Sequence, residues 1–557
     1  MNAQKMLFDA MLGIYDDVTA MVTEKGETII PEKGHVLYSQ YTGLYYAELY
    51  VNNRFDNPYY LKPHILEQAV KCWEFFYSLT DEDGKTRLVT YDNDWGLCVD
   101  EWGVFHWMNS LEMLKDYLDD EIKKKWSDRI DAIMIKNIIP GIKGQLSSNK
   151  FRYDVAQHEV SNHFCWHVVA AYRYGMLRGD RDAMDAAEEI MNMIADGQTL
   201  SGTWYEGKTL VSKYATVTIG ALSKYYFLSG NEKVLNALRK SLSYISKLMY
   251  PDFSVSGAID TRNRYSKTFA PMNFPAAYSL FCEGDEVVST FVTAICNLLK
   301  GKRFVGSTQG IAMLVENYRH IKDDFHVHPV EKFTLYKETV RIPEEKVLIL
   351  KDGKWVVDMC CQTVKMFGSR WILERQNLFG VYHDDSGLFI GGGHSIAQPQ
   401  LSCFNVISAG KLYYTHDEGE LTNANNGMNL VYGGRKCNIR FIFEGDALKI
   451  NYKIEGLTPT ERAYVNIPLY VSLNEPIQVN GNEVTLKTDP VAYGIPENGS
   501  VEIKGRTISL SCEGVLSYPL LPYNSYIVNH EKSFEETFAI ITCEFEHNMS
   551  ELTVTVR

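Results

Sequence analysis

The chain has 557 residues, of which 45% are hydrophobic and 23% charged, an ordinary globular composition with length for two or more domains. A formal net charge of −14 argues against a nucleic-acid partner, and no apolar run is long enough to span a bilayer. The 11 cysteines include no CxxC pair and read as reduced thiols; with acids in MNAQKMLFDAMLGIYDD where a secretory core would continue, a cytoplasmic location is expected unless a leader has been removed.

The first part of the chain is helical by its periodicity. Segments around Trp73–Leu79 and Trp102–Leu118 read as helices. Met184, Ala187, Met191 and Ile194 recur at three- and four-residue steps, as do Leu235, Leu238, Leu242, Ile245 and Met249. Three stretches resemble one another: NHFCWHVVAAYRYGMLRGDRDAM, KYATVTIGALSKYYFLSGNEKVL and KTFAPMNFPAAYSLFCEGDEVVS. In each, a glycine (Gly179, Gly230, Gly284) ends an apolar helix and the following Asp or Asn caps the next. A period of about 50 residues made of helix pairs predicts an array of hairpins, as an open solenoid or a closed α/α toroid.

This repeat places residues together. The same offset before each glycine falls on His163, Tyr214 and Thr268, preceded by Asn162, Lys213 and Lys267. Equivalent positions in successive hairpins project toward one end of the array. Asn162, His163 and Tyr214 are therefore expected to be spatial neighbours.

Beyond His328-Pro329 the period shortens to two. Leu448, Ile450, Tyr452 and Ile454 alternate with Lys449, Asn451 and Lys453, and shorter runs begin at Val356, Trp371 and Ile439. This predicts an antiparallel β-sandwich or stacked sheets. The expected organisation is an N-terminal α/α toroid over 1–330, an incomplete barrel of helical hairpins, followed by a β-sandwich domain over 331–557.

The stretch VSNHFCWH, Val160 to His167, raises the question of chemistry. His163 and His167 are four apart on a helix and would share a metal, but a metalloprotease needs Glu where Phe164 stands. His158 and His167 are read as hydrogen-bonded structural histidines. Asp94, Asp100 and Glu101 cluster in YDNDWGLCVDEW, and Glu206 lies in GTWYEGK, so a glycoside hydrolase with paired carboxylates is one alternative. A non-catalytic glycan-binding protein is another. The sequence lacks a nucleophile elbow, a phosphate-binding loop and a dinucleotide fingerprint.

Asn, His and Tyr together suit β-elimination on a uronic acid. The C5 proton lies α to a carboxylate whose charge must be blunted before the proton leaves. Asn162, helped by His163, is suited to hold that carboxylate and the enolate-like state. A tyrosine or histidine then takes the proton, and an acid protonates the leaving oxygen. Lys213 or Arg264 is placed to assist Tyr214 electrostatically. No redox cofactor is needed.

Four segments resemble the α/α-toroid polysaccharide lyases, including the heparinase II/III-like and alginate lyase groups. Ser161-Asn162-His163-Phe164-Cys165-Trp166 is similar to their Asn-Asn-His…Trp motif. GTWYEGKTLVSKYA, with Glu206 and Tyr214, is similar to the stretch that provides their catalytic tyrosine. YPDFSVSGAIDTRNRYSK resembles their rim loop and brings Arg262, Arg264 and Tyr265. GGGHSIAQPQLSCFNVISAGKLYYTHDEG follows the outline of their Gly-His-Gly-His segment, with His394 as the second histidine and Gly392 in place of the first. The resemblance implies a lyase acting on an anionic, uronate-containing oligo- or polysaccharide. It implies catalytic roles for Asn162, His163, Tyr214 and His394, and subsites shaped by Trp102, His106, Tyr205, Glu206, Arg262, Arg264 and Tyr265. His394 has an alternative implied role, as ligand to a structural divalent metal in the β domain with His416 or Asp417. Sugar identity and oligomeric state stay unassigned.

Overall fold

The computed structural model describes residues 1–29, 37, 40–90, 93–262, 267–268, 275–283, 285–299, 308–328, 337–364, 373–391, 394–523, 537–545 and 549–557. Arg264, Tyr265, Trp371, Gly284 and Gly392 lie outside these residues.

Helical hairpins fill the first half. The helix Asn162–Arg178 packs against Arg181–Asp196, Ser212–Ser229 and Glu101–Leu114. Its turn to Arg181–Asp196 is made as the sequence predicts: Gly179 is left-handed at φ 69°, and the Asp180 carboxylate accepts from Ala183 N at 3.0 Å. Gly230 at φ 67° and Asn231, accepting from Val234 N at 3.1 Å, repeat the device before Glu232–Lys247. The outer helices are amphipathic. Glu232–Lys247 buries Val234, Leu238, Leu242 and Ile245 and leaves its other face to water. Asn162–Arg178 instead buries Val168, Val169, Ala170 and Ala171 in succession, because it is enclosed by neighbours on several sides.

The ring closes through the chain start. Ala3–Gly13 packs against Thr308–His320, and Ala3 N donates to Phe325 O at 2.9 Å. Inside the ring Glu316 is a buried hub. Its carboxylate meets Lys224 Nζ at 3.3 Å, His106 Nδ1 at 3.5 Å and Asn109 Nδ2 at 3.3 Å, joining three helices by charge. Burial raises the Glu316 carboxyl, but the attraction of Lys224, His106 and His320 outweighs it and holds the carboxyl well below its usual range.

Short two-stranded hairpins precede helices on the rim. Thr86–Thr90 pairs with Asn93–Cys98 before Glu101–Leu114, and Tyr205–Glu206 pairs with Thr209–Leu210 before Ser212–Ser229. The third repeat departs from the expected register. Lys267–Thr268 is a strand paired with Val255–Ser256, and the next described helix is Pro275–Ser279.

Among the described residues the β half forms two antiparallel sheets. Arg435–Glu444, Ala447–Glu455 and Glu551–Val556 are successive strands of one sheet; Val347–Asp352, Trp355–Cys360 and Phe379–His383 are successive strands of the other. In Ala447–Glu455 the buried residues are Leu448, Ile450, Tyr452 and Ile454, the alternation read from the sequence. Ile439 lies inside Arg435–Glu444 rather than opening a strand. The sheets face each other through Phe379 against Phe441, ring centroids 5.1 Å apart, and Phe404 against Tyr452 at 5.8 Å. Trp355–Cys360 is buried along its whole length, because its second face meets the toroid. Ile349, Val356, Cys360, Tyr382 and Leu388 join the core of the helical half, and Tyr382 stacks on Tyr250 at 5.0 Å. Among the described residues no helix is long and apolar enough to cross a membrane.

Candidate active site

The helices Glu101–Leu114, Asn162–Arg178 and Ser212–Ser229 present their N-termini to one region. Unpaired N–H groups and the helix dipole make such ends positive. Asn162 and His163 open the second of these helices, and Tyr214 lies in the first turn of the third.

The residues are joined by a continuous set of contacts. Asn162 Nδ2 donates to Glu206 Oε2 at 2.6 Å. Glu206 Oε1 accepts from Arg262 Nη1 at 2.9 Å. The Arg262 guanidinium lies 3.8 Å from the centroid of the Tyr214 ring. Asp260, fully buried, fixes the backbone between them: one oxygen accepts from Lys213 N at 2.6 Å and the other from Arg262 N at 2.8 Å. Asn162 and Tyr214, expected together from the repeat, are thus linked through Glu206 and Arg262. Lys213 is exposed, and the cation on the tyrosine is Arg262 rather than Lys213.

His163 is held by Glu101. Its Nδ1 meets Glu101 Oε1 at 2.6 Å, while its side chain stays 58% exposed. Burial of the ring lowers its proton affinity, but the hydrogen bond and charge of Glu101 more than reverse this and raise it. His167 Nε2 lies 3.5 Å from the other Glu101 oxygen, so both histidines of the opening stretch serve one carboxylate. Burial pushes Glu101 up; the two histidines outweigh it and bring its carboxyl below the usual range. Glu206 is raised by burial, with Arg262, Asn162 and His163 only partly offsetting it.

Several expected subsite residues lie beneath the surface. Trp102 is 4% exposed and packs edge-on against His163 at 4.8 Å, so it backs the histidine. His106, also 4% exposed, belongs to the Glu316 network inside the ring. Tyr205 is half-buried, its N–H donating to His158 O at 2.7 Å, with the charge of Glu345 of the β half nearby. The carboxylates grouped in the sequence part company. Asp94 pairs with Arg87 on the rim hairpin. Asp100 caps the helix by accepting from Gly103 N at 2.8 Å, and burial beside Glu101 pushes its carboxyl up to about 7.

His394 differs most from expectation. It is 0% exposed, with Nδ1 accepting from Gln376 N at 3.3 Å and Nε2 donating to Ala258 O at 3.2 Å. Both nitrogens are thus committed to backbone, which leaves none to bind a metal or reach a sugar. His416 Nε2 is engaged by Cys361 O at 3.1 Å, and Asp417 accepts from Gly433 N at 2.7 Å. Among the described residues no three His, Cys, Asp or Glu side chains are grouped to hold a metal ion. The proposed ligand set therefore does not fit a metal.

Sequence reasoning missed Glu101 as the partner of the histidines, and Asp260. It also missed Arg375, whose guanidinium reaches Ala258 O at 2.6 Å and Ile259 O at 2.9 Å. Asp260 had a signal, its place in the rim-loop segment; Arg375 had none.

No protein-family model and no curated protein matches the chain. Solved structures share its architecture. Heparinase III aligns over 98% of this chain and 91% of its own, with a TM-score of 0.54 and 10% identity. A chondroitinase AC lyase studied as oligosaccharide complexes aligns over 100% and 82%, at 0.51 and 10%. The Streptomyces coelicolor A3 chondroitin AC lyase in complex with chondroitin sulphate aligns over 99% and 79%, at 0.50 and 11%. These likenesses establish the fold, an α/α toroid followed by antiparallel β-sheets.

Proposed function

We propose that the protein is a polysaccharide or oligosaccharide lyase that cleaves a uronate-containing glycan by β-elimination and leaves a 4,5-unsaturated uronate. The observation that carries this reading is the contact series Asn162–Glu206–Arg262–Tyr214 beside an exposed His163, with Asn162, His163 and Tyr214 in the first turns of helices. A negatively charged substrate suits such helix ends.

Each group has a role in the reaction. Glu206 takes one Nδ2 hydrogen of Asn162 and so orients the amide. The second hydrogen and the His163 ring hold the uronate carboxylate and stabilise charge as C5 loses its proton. Glu101 keeps His163 cationic and aligned. Tyr214, having first given its hydroxyl proton to solvent, takes the C5 proton as a phenolate; the electrons of the C5–H bond form the C4–C5 double bond, and the C4–O bond breaks with its electron pair on the leaving oxygen. Tyr214 then returns a proton to the leaving oxygen. Arg262 stabilises the phenolate that acts as the base from the ring face, and Glu206 holds Arg262 there. The carboxylates needed by a hydrolase are otherwise engaged: Asp100 as a helix cap, Glu101 on histidines, Glu206 on Asn162 and Arg262.

The fold-level likeness to glycosaminoglycan lyases supports the same class of substrate. The test is incubation with a panel of glucuronate-, iduronate- and mannuronate-containing glycans. A lyase yields an ultraviolet-absorbing unsaturated uronate. New reducing ends without that absorbance would establish a hydrolase, and binding with neither product would establish a glycan-binding protein.

A further inference from the structure

The segment from Tyr250 to Arg262 carries Asp260 and Arg262, and the β half grips it repeatedly. Asp358, on the strand Trp355–Cys360, accepts from the hydroxyls of Tyr250 and Ser256. Leu373 N donates to Thr261 O at 2.9 Å. Arg375 spans two successive carbonyls, Ala258 O and Ile259 O, and His394 Nε2 bonds Ala258 O as well. Arg375 is 2% exposed, and its Nη1 and Nη2 are directed at these two backbone carbonyls. A buried guanidinium is costly unless its donors are satisfied. Here Nη1 and Nη2 form a planar fork onto two carbonyls that a lysine would not bridge, while the buried Nε lacks a hydrogen-bond partner among the described residues. The next residue is Asp260, whose carboxylate ties the backbone of Lys213, beside Tyr214, to that of Arg262.

We infer that Arg375 and His394 are positioning residues through which the β half sets the spacing of Arg262 and Tyr214, by clamping the carbonyls of Ala258 and Ile259. The inference rests on the lyase reading for its kinetic consequence but not for its structural one. His394 acts as a neutral donor: its Nδ1 accepts an amide proton, so Nε2 carries the hydrogen. It never touches the reacting atoms. Displacing the two carbonyls moves Asp260 and with it both ends of the Arg262–Tyr214 pair. Misplacement on the scale of 1 Å costs about 100-fold in rate.

Two paired substitutions test this in the full chain. His394→Ala removes the donor, whereas His394→Gln retains one near the Nε2 position. Arg375→Met removes the fork, whereas Arg375→Lys retains the charge and one donor. Hydrogen exchange over peptides spanning 208–216 and 257–262 reads the clamp without any substrate. Turnover of the uronate glycan reads its consequence. We expect faster exchange in both peptides for His394→Ala and Arg375→Met, with kcat about 100-fold lower and KM within about twofold for intact binding groups. His394→Gln recovers most of both losses, and the pH limbs of kcat/KM stay where they are in the wild type. His394→Gln as inactive as His394→Ala, with exchange unchanged in both, would overturn the inference in favour of a proton-transferring histidine. Unchanged exchange in Arg375→Met would overturn the clamp. Faster exchange in Arg375→Met and His394→Ala, with no unsaturated product from the wild type, would uphold the clamp and reject the lyase reading instead.

Discussion

Arg262→Gln separates the charge of the guanidinium from its hydrogen bond to Glu206, because glutamine can still donate. The guanidinium carbon lies 3.8 Å from the Tyr214 ring centroid. At that distance a phenolate and a guanidinium attract by about 4 kcal/mol for an effective dielectric of about 20. A phenolate's charge is spread between its oxygen and the ring, and Glu206 at 2.9 Å offsets part of the positive charge. A net loss of about 2–3 kcal/mol in forming the reactive phenolate remains, which corresponds to roughly 30- to 150-fold in kcat. The substrate carboxylate is held by Asn162 and His163 rather than by Arg262, so KM should change little. Arg262→Lys keeps the charge without the flat cation over the ring and should fall between wild type and Arg262→Gln. The assay is the initial rate of ultraviolet-absorbing product at saturating uronate glycan. A kcat for Arg262→Gln within about threefold of wild type would refute the electrostatic role of this cation.

Three further outcomes are expected. Glu316→Gln leaves Lys224 buried without its carboxylate and should cost about 3–5 kcal/mol in denaturant unfolding followed by tryptophan fluorescence, while Glu316→Leu with Lys224→Met recovers most of it; additive losses would contradict the paired network. The His163–Glu101 attraction is complete between about pH 4.5 and about 6.5: it is lost on the alkaline side as pH rises through the raised His163 value, and on the acid side as pH falls through the lowered Glu101 value. Glu101→Gln should therefore lower the NMR titration midpoint of the His163 ring, and an unmoved midpoint would show that Glu101 does not sustain its charge. Asp358 is pushed up to about 6 by burial, from 3.8, so its ionisation costs stability above pH 6 and the protein regains it as pH falls toward 3.8. Asp358→Asn should remove about 3 kcal/mol of that pH dependence, measured as the difference in unfolding free energy between pH 7 and pH 4.

What was legible in the sequence was local. Gly179 with Asp180 and Gly230 with Asn231 announce a helix end and the next helix start within two residues, and the structure uses them so. The alternation in Ala447–Glu455 reported a half-buried strand. The rim hairpins were invisible, since a two-residue strand such as Tyr205–Glu206 has no period to read. The repeat brought Asn162 and Tyr214 to one rim but carried the third unit too far, because there the segment pairs as the strand Lys267–Thr268 instead of opening a helix.

The partners that give the site its character were legible only in three dimensions. Glu101 reads as an acid near a helix start, and its histidine partner His163 is 62 positions on. Asp94, Asp100 and Glu101 look like a carboxylate cluster in sequence, yet a strand pairing and a helix cap send them to Arg87, to Gly103 and to His163. His394 shows the opposite effect. A histidine after glycines suggests an accessible ligand, whereas burial and two backbone bonds make it a strut between the β half and the rim.

The central claim is that Tyr214 moves the proton in an elimination on a uronate glycan. The direct measurement compares wild type and Tyr214→Phe on the same glycan, following unsaturated product by ultraviolet absorbance and affinity by calorimetry. The account predicts product from the wild type, none above background from Tyr214→Phe, and affinities within about threefold, since the ring and its contact with Arg262 persist. Undiminished product from Tyr214→Phe would contradict it.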